Sequence, residues 1–540
     1  MDGMIMDHQL TIPMILKRAR TIFSDKEVVS QLPGRKHTYT YRELYGRVVR
    51  LMNVLRSLGV KPGDRVATFA WNHYRHLELY YAIPCLGAVL HTLNLRLFSE
   101  QLAYIVNHAR DSLLFVDDSL LEPIEAIAPQ LKSVRRYVLM GDTVQLPDTG
   151  LSPVDHYETL MAQADDREEF PEIKERDAAG LCYTSGTTGN PKGVLYSHRG
   201  NFLNAMMAGM TDAFALSERD VVLPVVPMFH ANAWSVPYNC AMLGSKLVFA
   251  GANVQPEALV NLIEREQVTF AMGVPTIWNG LLQYLRETGL RIDSVRAMLV
   301  GGSAVPRSMI VAYKQEYGVQ IMHAWGMTEM SPLGAVTRLS RKMEDWPEEK
   351  QLDVLCKVGV PFPCVEMRIV DDGGRDLPWD GQSAGELLVR GPAIASGYYE
   401  NPEASTQAIT QDGWFRTGDV ATIDENSVLH ITDRTKDLIK SGGEWISSVE
   451  MENSIMACPG VLEAAVVARP DEKWGERPVA FVVGDGKGAG PNLEAILAHL
   501  SERFAKWQLP VLEDIRLIEQ IPKTSVGKFD KKVLREQLKD

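Results

Sequence analysis

Apolar and polar positions in the first part of the chain follow two periods, that of a helix and that of a buried strand. A helix is predicted after Thr40, because apolar residues recur there at helical spacing and Glu43 completes a capping box with Thr40. Those apolar residues are Leu44, Val48, Leu51 and Leu55. Gly59 predicts the end of this helix, and the apolar run at 66–69 predicts the strand that follows.

The order of helix and then strand repeats along the chain. Further helices are predicted over 78–86, 100–108 and 201–214, and further strands over 88–91, 113–116, 178–182, 221–224 and 295–300. Strands that alternate with helices indicate parallel sheets covered by helices on both faces, so the predicted fold class is α/β. Two later runs, 365–370 and 385–391, alternate apolar and polar residues and predict a small antiparallel β-subdomain.

Length and composition limit the classes of protein that this chain can belong to. A chain of 540 residues exceeds what one hydrophobic core usually supports, so two or more domains are expected. Hydrophobic residues make up 45% of the chain and charged residues 23%, which is typical of a soluble globular protein. The net charge of -13 argues against a nucleic-acid partner.

The cysteines and the N-terminal sequence indicate the compartment. Six cysteines are scattered without C-x-x-C spacing, which fits a reducing compartment and offers no metal-thiolate site. The N-terminal stretch has acidic residues early and no uninterrupted apolar core, so neither a signal peptide nor a membrane span is predicted. The predicted location is the cytoplasm.

A tract rich in serine, threonine and glycine lies between the predicted strand at 178–182 and an apolar run at 193–196. It contains Thr184, Ser185, Gly186, Thr187, Thr188, Gly189 and, after Pro191, Lys192. Glycine allows a close approach of the backbone to a ligand, while hydroxyl, N–H and ammonium groups donate to phosphate oxygens. The G-x-x-x-x-G-K-[ST] spacing is absent, and a flexible linker has a similar composition. A linker rarely returns at once to an apolar strand, so a phosphate-binding loop is favoured.

A carboxylate stands inside the apolar segment 323–332. Glu329 follows Thr328 there, and a carboxylate in an apolar setting is costly unless it is paired or binds a metal. Mg²⁺ prefers a few carboxylates together with phosphate oxygens, so Glu329 is a candidate ligand. In an exposed segment Glu329 would be an ordinary surface charge.

Further candidates have an ordinary structural explanation as well as a functional one. His230 and Trp234 lie in an apolar, aromatic segment and fit the core as well as a pocket wall. Residues 302–304 follow a predicted strand, where they form either a tight turn or a flat surface for a ring. Asp419 caps a turn or accepts hydrogen bonds from a ligand. Lysines such as Lys528, near the C-terminus, are most often solvated.

Taken together, these segments resemble the signature sequences of adenylate-forming enzymes, which include acyl-CoA synthetases, non-ribosomal peptide adenylation domains and beetle luciferases. The resemblance covers nearly the whole chain and is closest to medium-chain fatty acyl-CoA synthetases and methylmercaptopropionate-CoA ligases. It implies an N-terminal domain over 1–433, built of parallel sheets sandwiched by helices with a small β-subdomain. A hinge at 434–438 and a small, mobile α+β domain at 439–540 are implied to follow.

The resemblance also implies a role for each candidate in binding ATP. The phosphates are assigned to Thr184, Ser185, Gly186, Thr187, Thr188, Gly189, Lys192 and Thr328, and the adenine to Gly302, Ser303, Ala304 and Trp325. The nucleotide-binding segment continues through Gly326 and Met327, Asp419 binds the ribose hydroxyls, and Arg434 reaches the nucleotide. Glu329 is the implied Mg²⁺ ligand. Trp325 stands where the family more often has tyrosine.

The resemblance assigns other residues to the acyl pocket, to the binding of CoA and to the hinge between the two domains. His230 and Trp234 line the acyl pocket, Lys436 is the pivot of the hinge, and Lys528, not Lys523, is the catalytic lysine. The implied CoA-binding loop is Lys440, Ser441, Gly442, Gly443, Glu444 and Trp445. Many relatives have aspartate at the pivot, although lysine also occurs there, as in luciferases.

The implied reaction joins a carboxylic acid to CoA at the expense of ATP, with Mg²⁺, through an acyl-adenylate. The predicted substrate is a short- to medium-chain fatty acid or 3-methylthiopropionate, and the N-terminal segment resembles one used for homodimer formation. An enzyme that loads a carrier protein is an alternative, which the Ser441–Trp445 loop and the absence of a carrier module disfavour. A silent nucleotide- or acyl-binding regulator is another, and such a protein would be expected to have lost Glu329 or Lys528.

Overall fold

The structure, a computed structural model, describes residues 3–143, 145–184, 190–441, 444–486, 490–524 and 528–538. The strands are β1 (Glu27–Leu32), β2 (Arg35–Thr40), β3 (Arg65–Phe69), β4 (Val89–Thr92), β5 (Leu113–Asp117), β6 (Arg136–Met140), β7 (Val154–His156), β8 (Ala178–Tyr183), β9 (Gly193–Ser197), β10 (Val221–Pro224), β11 (Lys246–Phe249), β12 (Phe270–Gly273), β13 (Ala297–Gly301), β14 (Gln320–Gly326), β15 (Leu333–Val336), β16 (Val360–Pro361), β17 (Glu366–Val370), β18 (Gly385–Arg390), β19 (Phe415–Ile423), β20 (Leu429–Arg434), β21 (Ile439–Ser441), β22 (Glu444–Ile446), β23 (Val461–Asp471), β24 (Gly475–Gly484) and β25 (Ile515–Leu517).

The helices are α1 (Ile12–Ile22), α2 (Tyr41–Ser57), α3 (Tyr74–Cys85), α4 (Ser99–Ala109), α5 (Leu121–Ile127), α6 (Tyr157–Gln163), α7 (His198–Ala208), α8 (Ala231–Trp234), α9 (Val236–Leu243), α10 (Pro256–Glu266), α11 (Pro275–Thr288), α12 (Arg307–Tyr317), α13 (Glu348–Leu355), α14 (Pro402–Ala408), α15 (Ser448–Met456), α16 (Leu493–Ser501) and α17 (Lys531–Glu536). Short 3-10 turns lie at Asp118–Leu120, Ala128–Gln130, Thr328–Met330, Arg341–Met343 and Leu512–Asp514.

Two large sheets form the centre of the protein. Their strand orders are β7-β6-β5-β3-β4-β8-β9 and β16-β15-β14-β13-β12-β10-β11-β1-β2. Inner neighbours such as β3 and β5, or β12 and β13, are parallel, whereas edge pairs such as β8 and β9 are antiparallel. The predicted phosphate-binding loop therefore joins two antiparallel strands at the edge of its sheet.

Helices cover both faces of the two sheets, as the α/β prediction expects. One core lies between the sheets and holds side chains of β3, β5, β11 and β12 together with those of α1, α2, α3, α7 and α9. The outer face of one sheet packs on α10, α11 and α12, and that of the other on α4 and α5. Parallel strands buried on both faces explain the continuous apolar runs of the sequence.

Two smaller sheets follow the large ones. Strands β17 to β20 form an antiparallel sheet in the order β17-β18-β19-β20, which is the predicted β-subdomain. The last sheet has the order β22-β21-β24-β23 with β25 beside β24, and it uses only strands from residue 439 onward. The mixed α/β fold class with a C-terminal β-containing part is confirmed, while the division at 433 and 438 stays a prediction.

Local predictions from the sequence meet with mixed success. The capping box is present, since the Thr40 hydroxyl accepts from the Glu43 N–H at 3.3 Å and Glu43 Oε2 accepts from the Thr40 N–H at 2.7 Å. The helix predicted to reach residue 214 is wrong, because α7 ends at Ala208. Phe214 lies beyond the helix end, buried with its ring edge-on against that of Phe362 at a centroid distance of 5.4 Å, a long-range contact that helical periodicity does not reveal.

Across the parts of the chain that the structure describes, no helix combines the length and apolarity that a membrane crossing requires.

Candidate active site

Most of the predicted site residues that the structure describes line two adjoining cavities of about 460 Å³ each. The central cavity is lined by Thr184, Lys192, His230, Trp234, Gly302, Trp325, Gly326, Met327, Thr328, Glu329, Arg434, Lys436 and Lys528. The side cavity shares the wall from Trp325 to Met327 and adds Ser303, Ala304 and Asp419. Residues that are up to 344 positions apart in the sequence therefore meet in one place, as between Thr184 and Lys528.

Thr184 and Lys192, the two ends of the predicted phosphate-binding loop, line the central cavity. These ends are closed by hydrogen bonds from the Thr184 N–H to the Lys192 carbonyl at 2.9 Å and from the Lys192 N–H to the Thr184 hydroxyl at 3.2 Å. Residues 185–189 of the prediction lie outside the described residues, as do Gly442 and Gly443. The ammonium of Lys192 lies 4.9 Å from the ring centre of Tyr398.

Glu329 is a buried carboxylate with a defined hydrogen-bond partner. Glu329 is only 6% exposed, and its Oε1 accepts a hydrogen bond from the Tyr398 hydroxyl at 2.7 Å. Burial raises the pKa of Glu329, while the Tyr398 hydrogen bond and the charges of Arg434 and Lys192 oppose that rise. The prediction that Glu329 sits in an apolar setting, not on the surface, agrees with this burial.

The surroundings of Glu329 fit Mg²⁺ better than a metal held by protein alone. Within the described ranges, no group of three or more His, Cys, Asp or Glu side chains could hold a metal ion. A carboxylate offers about four lone-pair sites, so Glu329 retains acceptor capacity beside its bond to Tyr398. Mg²⁺ commonly uses one or two carboxylates, several waters and the phosphates of a bound nucleotide, and this donor set matches that pattern.

Asp419 lines the side cavity and is held from two directions. The Trp325 indole N–H donates to its Oδ2 at 2.8 Å, and Arg434 Nε lies 3.5 Å from Oδ1. Burial raises the pKa of Asp419, and the charge of Arg434 is the largest influence against that rise. Trp325 therefore orients this carboxylate, a role that its sequence position did not indicate.

Lys528 reaches the cavities from the C-terminal part of the chain. A Cβ placed on Gly302 would lie 3.5 Å from its Cε, so the lysine side chain passes over the predicted adenine loop. Burial, Arg434 and Lys436 lower the pKa of Lys528 to about 8, although Asp419 and Glu329 oppose the shift. Lys523 instead forms an ion pair with Glu463 at 2.7 Å.

His230 precedes, and Trp234 belongs to, a turn with an unusual backbone. Ala231, Asn232, Ala233, Trp234 and Ser235 all have φ between 44° and 66°, the left-handed region that L-residues rarely occupy in succession. Buried hydrogen bonds hold this turn, including Asn232 Nδ2 to Asn201 Oδ1 at 3.3 Å. No glycine in the sequence indicates such a backbone, so sequence reasoning missed it.

The turn points its aromatic and imidazole side chains into the central cavity. The ring of Trp234 lies against Gly301, where a Cβ would be 3.3 Å from Cη2. Burial and, to a smaller extent, the charge of Lys528 lower the pKa of His230 to about 3, so the imidazole is neutral near pH 7. His230 can therefore donate or accept a hydrogen bond, but it does not add a positive charge.

The described residues of the predicted CoA-binding loop are absent from the linings of these two cavities. Trp445 is half exposed and lines a separate cavity of about 1070 Å³ with residues such as Arg503 and Phe504. The Lys440 ammonium lies 5.2 Å from a ring centre of Trp445, and Ser441 is buried. These residues do not meet Lys528 in the present arrangement.

Charge in the central cavity favours a polyanion. Lys192, Arg434, Lys436 and Lys528 all line it, and one carboxylate, Glu329, faces them. Closely placed cations of this kind can neutralise a triphosphate and can stabilise the charge that develops when a phosphorus atom is attacked. The arrangement suits phosphoryl or nucleotidyl transfer.

Comparison with known proteins gives matches along almost the whole chain. The family model of AMP-binding enzymes matches residues 16–399, and that of the AMP-binding enzyme C-terminal domain matches residues 450–528. A long-chain-fatty-acid–CoA ligase of Thermus thermophilus is 48% identical over 99% of this chain and 97% of its own. A 3-methylmercaptopropionyl-CoA ligase of Ruegeria pomeroyi is 45% identical over 100% and 99%. The crystal structure of an anthranilate CoA ligase with anthranoyl-AMP has a TM-score of 0.87 at 26% identity, covering 98% of this chain and 97% of that one.

Proposed function

The chain belongs to the AMP-binding enzyme family, and on that premise we propose that it is an ATP-dependent acid–thiol ligase that forms acyl-CoA. The meeting of Lys528 with Glu329, Asp419 and Lys192 in one pair of cavities is the observation that carries this proposal. The related ligases act on fatty acids and 3-methylmercaptopropionate, and ATP and CoA are the co-substrates that the reaction requires.

In the first half-reaction, a carboxylate oxygen of the acid attacks the α-phosphorus of ATP. An O–P bond forms, the bond from the α-phosphorus to the bridging oxygen breaks, and pyrophosphate leaves. Asp419 would hold the ribose hydroxyls, and Lys192 and Lys528 would neutralise the phosphates. Glu329 would hold Mg²⁺, which when bound neutralises charge on the phosphate oxygens. The neutral imidazole of His230 would orient the acid. Much of the rate acceleration would then come from holding the carboxylate close to the α-phosphorus.

In the second half-reaction, the CoA thiolate attacks the acyl carbon of the adenylate. A C–S bond forms and the C–O bond to AMP breaks. Trp445 and Lys528 line separate cavities, so one orientation of the C-terminal part does not serve both steps. We infer a rotation of that part about Lys436, within the hinge at 434–438, between the two half-reactions.

The substrate is proposed to be a short- to medium-chain fatty acid or 3-methylthiopropionate. Trp234 supports this choice, because its large ring lies against Gly301 and lines the same cavity as His230. The thioether sulfur of 3-methylthiopropionate is close to a methylene in size and polarity, so both acids suit the same apolar wall.

Replacement of Trp234 by alanine is expected to shift the preference toward longer acids. Each methylene that enters the new space contributes about 1 kcal/mol, so kcat/KM for longer acids rises by about fivefold per methylene until the space is filled. Kinetics over straight-chain acids of increasing length measure this shift. Trp379→Ala, at a half-exposed position far from the cavities, is the control. An unchanged chain-length profile would show that Trp234 does not limit the pocket.

The pH dependence of adenylation is expected to follow Lys528. Because only the protonated ammonium neutralises phosphate charge, the single-turnover rate of pyrophosphate release falls as the pH rises through the lysine pKa of about 8. In Lys528→Arg the guanidinium stays charged, which moves this decline to higher pH even if the rate is lower. Pyrophosphate release measured with ATP and acid alone, without CoA, avoids titration of the thiol. If the rate declined at the same pH in the unchanged protein and in Lys528→Arg, the decline would be due to the titration of another group.

A homodimer is also proposed, since Met4, Ile5 and Met6 are 88% to 100% exposed and offer apolar contacts to a second copy. A cytoplasmic location stays a prediction.

Pyrophosphate release across a panel of acids tests the proposed function. With ATP, Mg²⁺ and CoA, we expect multiple turnovers with a maximum at one chain length, and 3-methylthiopropionate belongs in the panel together with benzoate. ATP binding without pyrophosphate release from any acid would favour a silent regulator. Release that does not depend on CoA for turnover would favour an enzyme that loads another acceptor.

A further inference from the structure

Residues 395–399, here called the strap, connect the predicted metal carboxylate with the exit of the phosphate-binding loop. At one end the Ala395 N–H donates to the Glu329 carbonyl at 2.7 Å. At the other end the Tyr399 N–H donates to the Gly193 carbonyl at 2.8 Å. Between them Tyr398 donates its hydroxyl to Glu329 Oε1, and its ring lies under the ammonium of Lys192.

We propose that Tyr398 is a positioning residue that sets the geometry of Glu329 and Lys192 around the metal-bound phosphates. The inference rests on the proposed function, because it requires a nucleotide and Mg²⁺ in the central cavity. No sequence signal indicated this tyrosine, which is 69 positions from Glu329 and 206 from Lys192.

Tyr398 can act in this way because its own position is fixed by the structure around it. Its N–H donates to the Ser405 hydroxyl at 2.8 Å, and its ring packs edge-on against Phe415 with centroids 6.2 Å apart. A hydroxyl on a rigid ring leaves Glu329 one favoured orientation, whereas a free glutamate side chain has several rotamers. The hydrogen bond thus aims the carboxylate before the metal arrives.

The ring of Tyr398 positions its second partner, the ammonium of Lys192. An ammonium over an aromatic face is attracted to it, which keeps the Lys192 side chain extended toward the cavity. One residue therefore couples a group that binds the metal to a group that binds the phosphates carried by that metal. Replacement of the hydroxyl and replacement of the ring should have separable effects.

The test removes the hydroxyl alone, in Tyr398→Phe, and measures metal binding directly. Mn²⁺ replaces Mg²⁺ in the presence of α,β-methylene-ATP, and electron paramagnetic resonance reports the free Mn²⁺. We expect the dissociation constant for Mn²⁺ to rise by about 10- to 100-fold, the range typical when a partner that orients a metal ligand is lost. The rate of pyrophosphate release should recover in part at high Mg²⁺ concentration.

Tyr157→Phe is the matched control. The Tyr157 hydroxyl donates to Glu78 Oε2 at 2.5 Å, so the same type of buried tyrosine–glutamate bond is lost, but outside both cavities. Both variants are expected to lower the melting temperature, and only Tyr398→Phe should weaken Mn²⁺ binding. Tyr398→Leu, which also removes the ring, should in addition raise the KM for ATP.

Several outcomes would overturn the inference. An unchanged Mn²⁺ dissociation constant in Tyr398→Phe would remove the positioning role, as would an equal change in Tyr157→Phe. A loss of rate that is the same at every Mg²⁺ concentration, and equal in both half-reactions, would leave only a structural role. Failure of the proposed function would look different from failure of this inference. In that case the protein without any substitution would release no pyrophosphate with any acid.

Discussion

Replacement of Lys528 by alanine lowers the rate of pyrophosphate release by about 10³-fold, the loss typical when a preorganised donor to a developing charge is removed. Among the described residues from 439 onward, Lys528 is the one that lines both cavities, where it lies near Asp419 and Glu329. In the reaction that we propose, its charge would face the site at which the acid meets the α-phosphate. Rapid quenching of a reaction with ATP, Mg²⁺ and acid measures the loss.

The same variant should retain the second half-reaction. When acyl-adenylate and CoA are supplied, thioester formation in Lys528→Ala is expected to stay near the rate of the unchanged protein, because the rotation that we propose would by then have turned Lys528 away. Lys523→Ala is the matched control, since that lysine pairs with Glu463. Equal losses in both half-reactions would contradict the rotation about Lys436 that we propose.

Replacement of Glu329 by glutamine is expected to lower the rate of adenylation by about 10²- to 10³-fold, because a metal ligand that stabilises several kcal/mol of transition-state charge is lost. The amide oxygen can still accept from Tyr398, so the local structure is preserved. Single-turnover rates as a function of Mg²⁺ concentration measure the effect, and excess Mg²⁺ should not restore the rate fully.

The melting temperature separates this loss from unfolding. Burial raises the pKa of Glu329, which means that its ionised form is less favourable in the folded protein than in the unfolded chain. A neutral glutamine removes that unfavourable contribution, so Glu329→Gln should be at least as stable as the unchanged protein near pH 7. Glu400→Gln, at an exposed ion pair with Arg110, is the control. An unchanged rate would exclude Glu329 from metal binding.

Secondary structure that depends on local sequence patterns was predictable from the sequence. Thr40 and Glu43 form their capping box, and β10 occupies the predicted residues 221–224. The α7 helix was predicted too long because the burial of Phe214 against Phe362 depends on a strand region about 150 positions away, which local periodicity does not contain.

Site residues within continuous motifs were predictable, and their partners from other motifs were not. The resemblance placed Trp325 near the nucleotide, but only the fold brings its indole N–H to Asp419. Tyr398 carries no local signal because its partners lie in distant segments of the chain, Glu329 in the 3-10 turn Thr328–Met330 and Lys192 just before β9. The left-handed turn at 231–235 was missed because its residues are not glycine.

Isotope transfer from the acid to AMP tests the central claim most directly. The acid is labelled with ¹⁸O in its carboxyl group, and one turnover with ATP, Mg²⁺ and CoA is analysed by mass spectrometry. Because the carboxylate attacks the α-phosphorus and the C–O bond breaks in the second step, the account predicts one labelled oxygen in AMP, none in pyrophosphate, and acyl-CoA in equal amount to AMP. Label in orthophosphate with ADP as the second product, or unlabelled AMP, would contradict it.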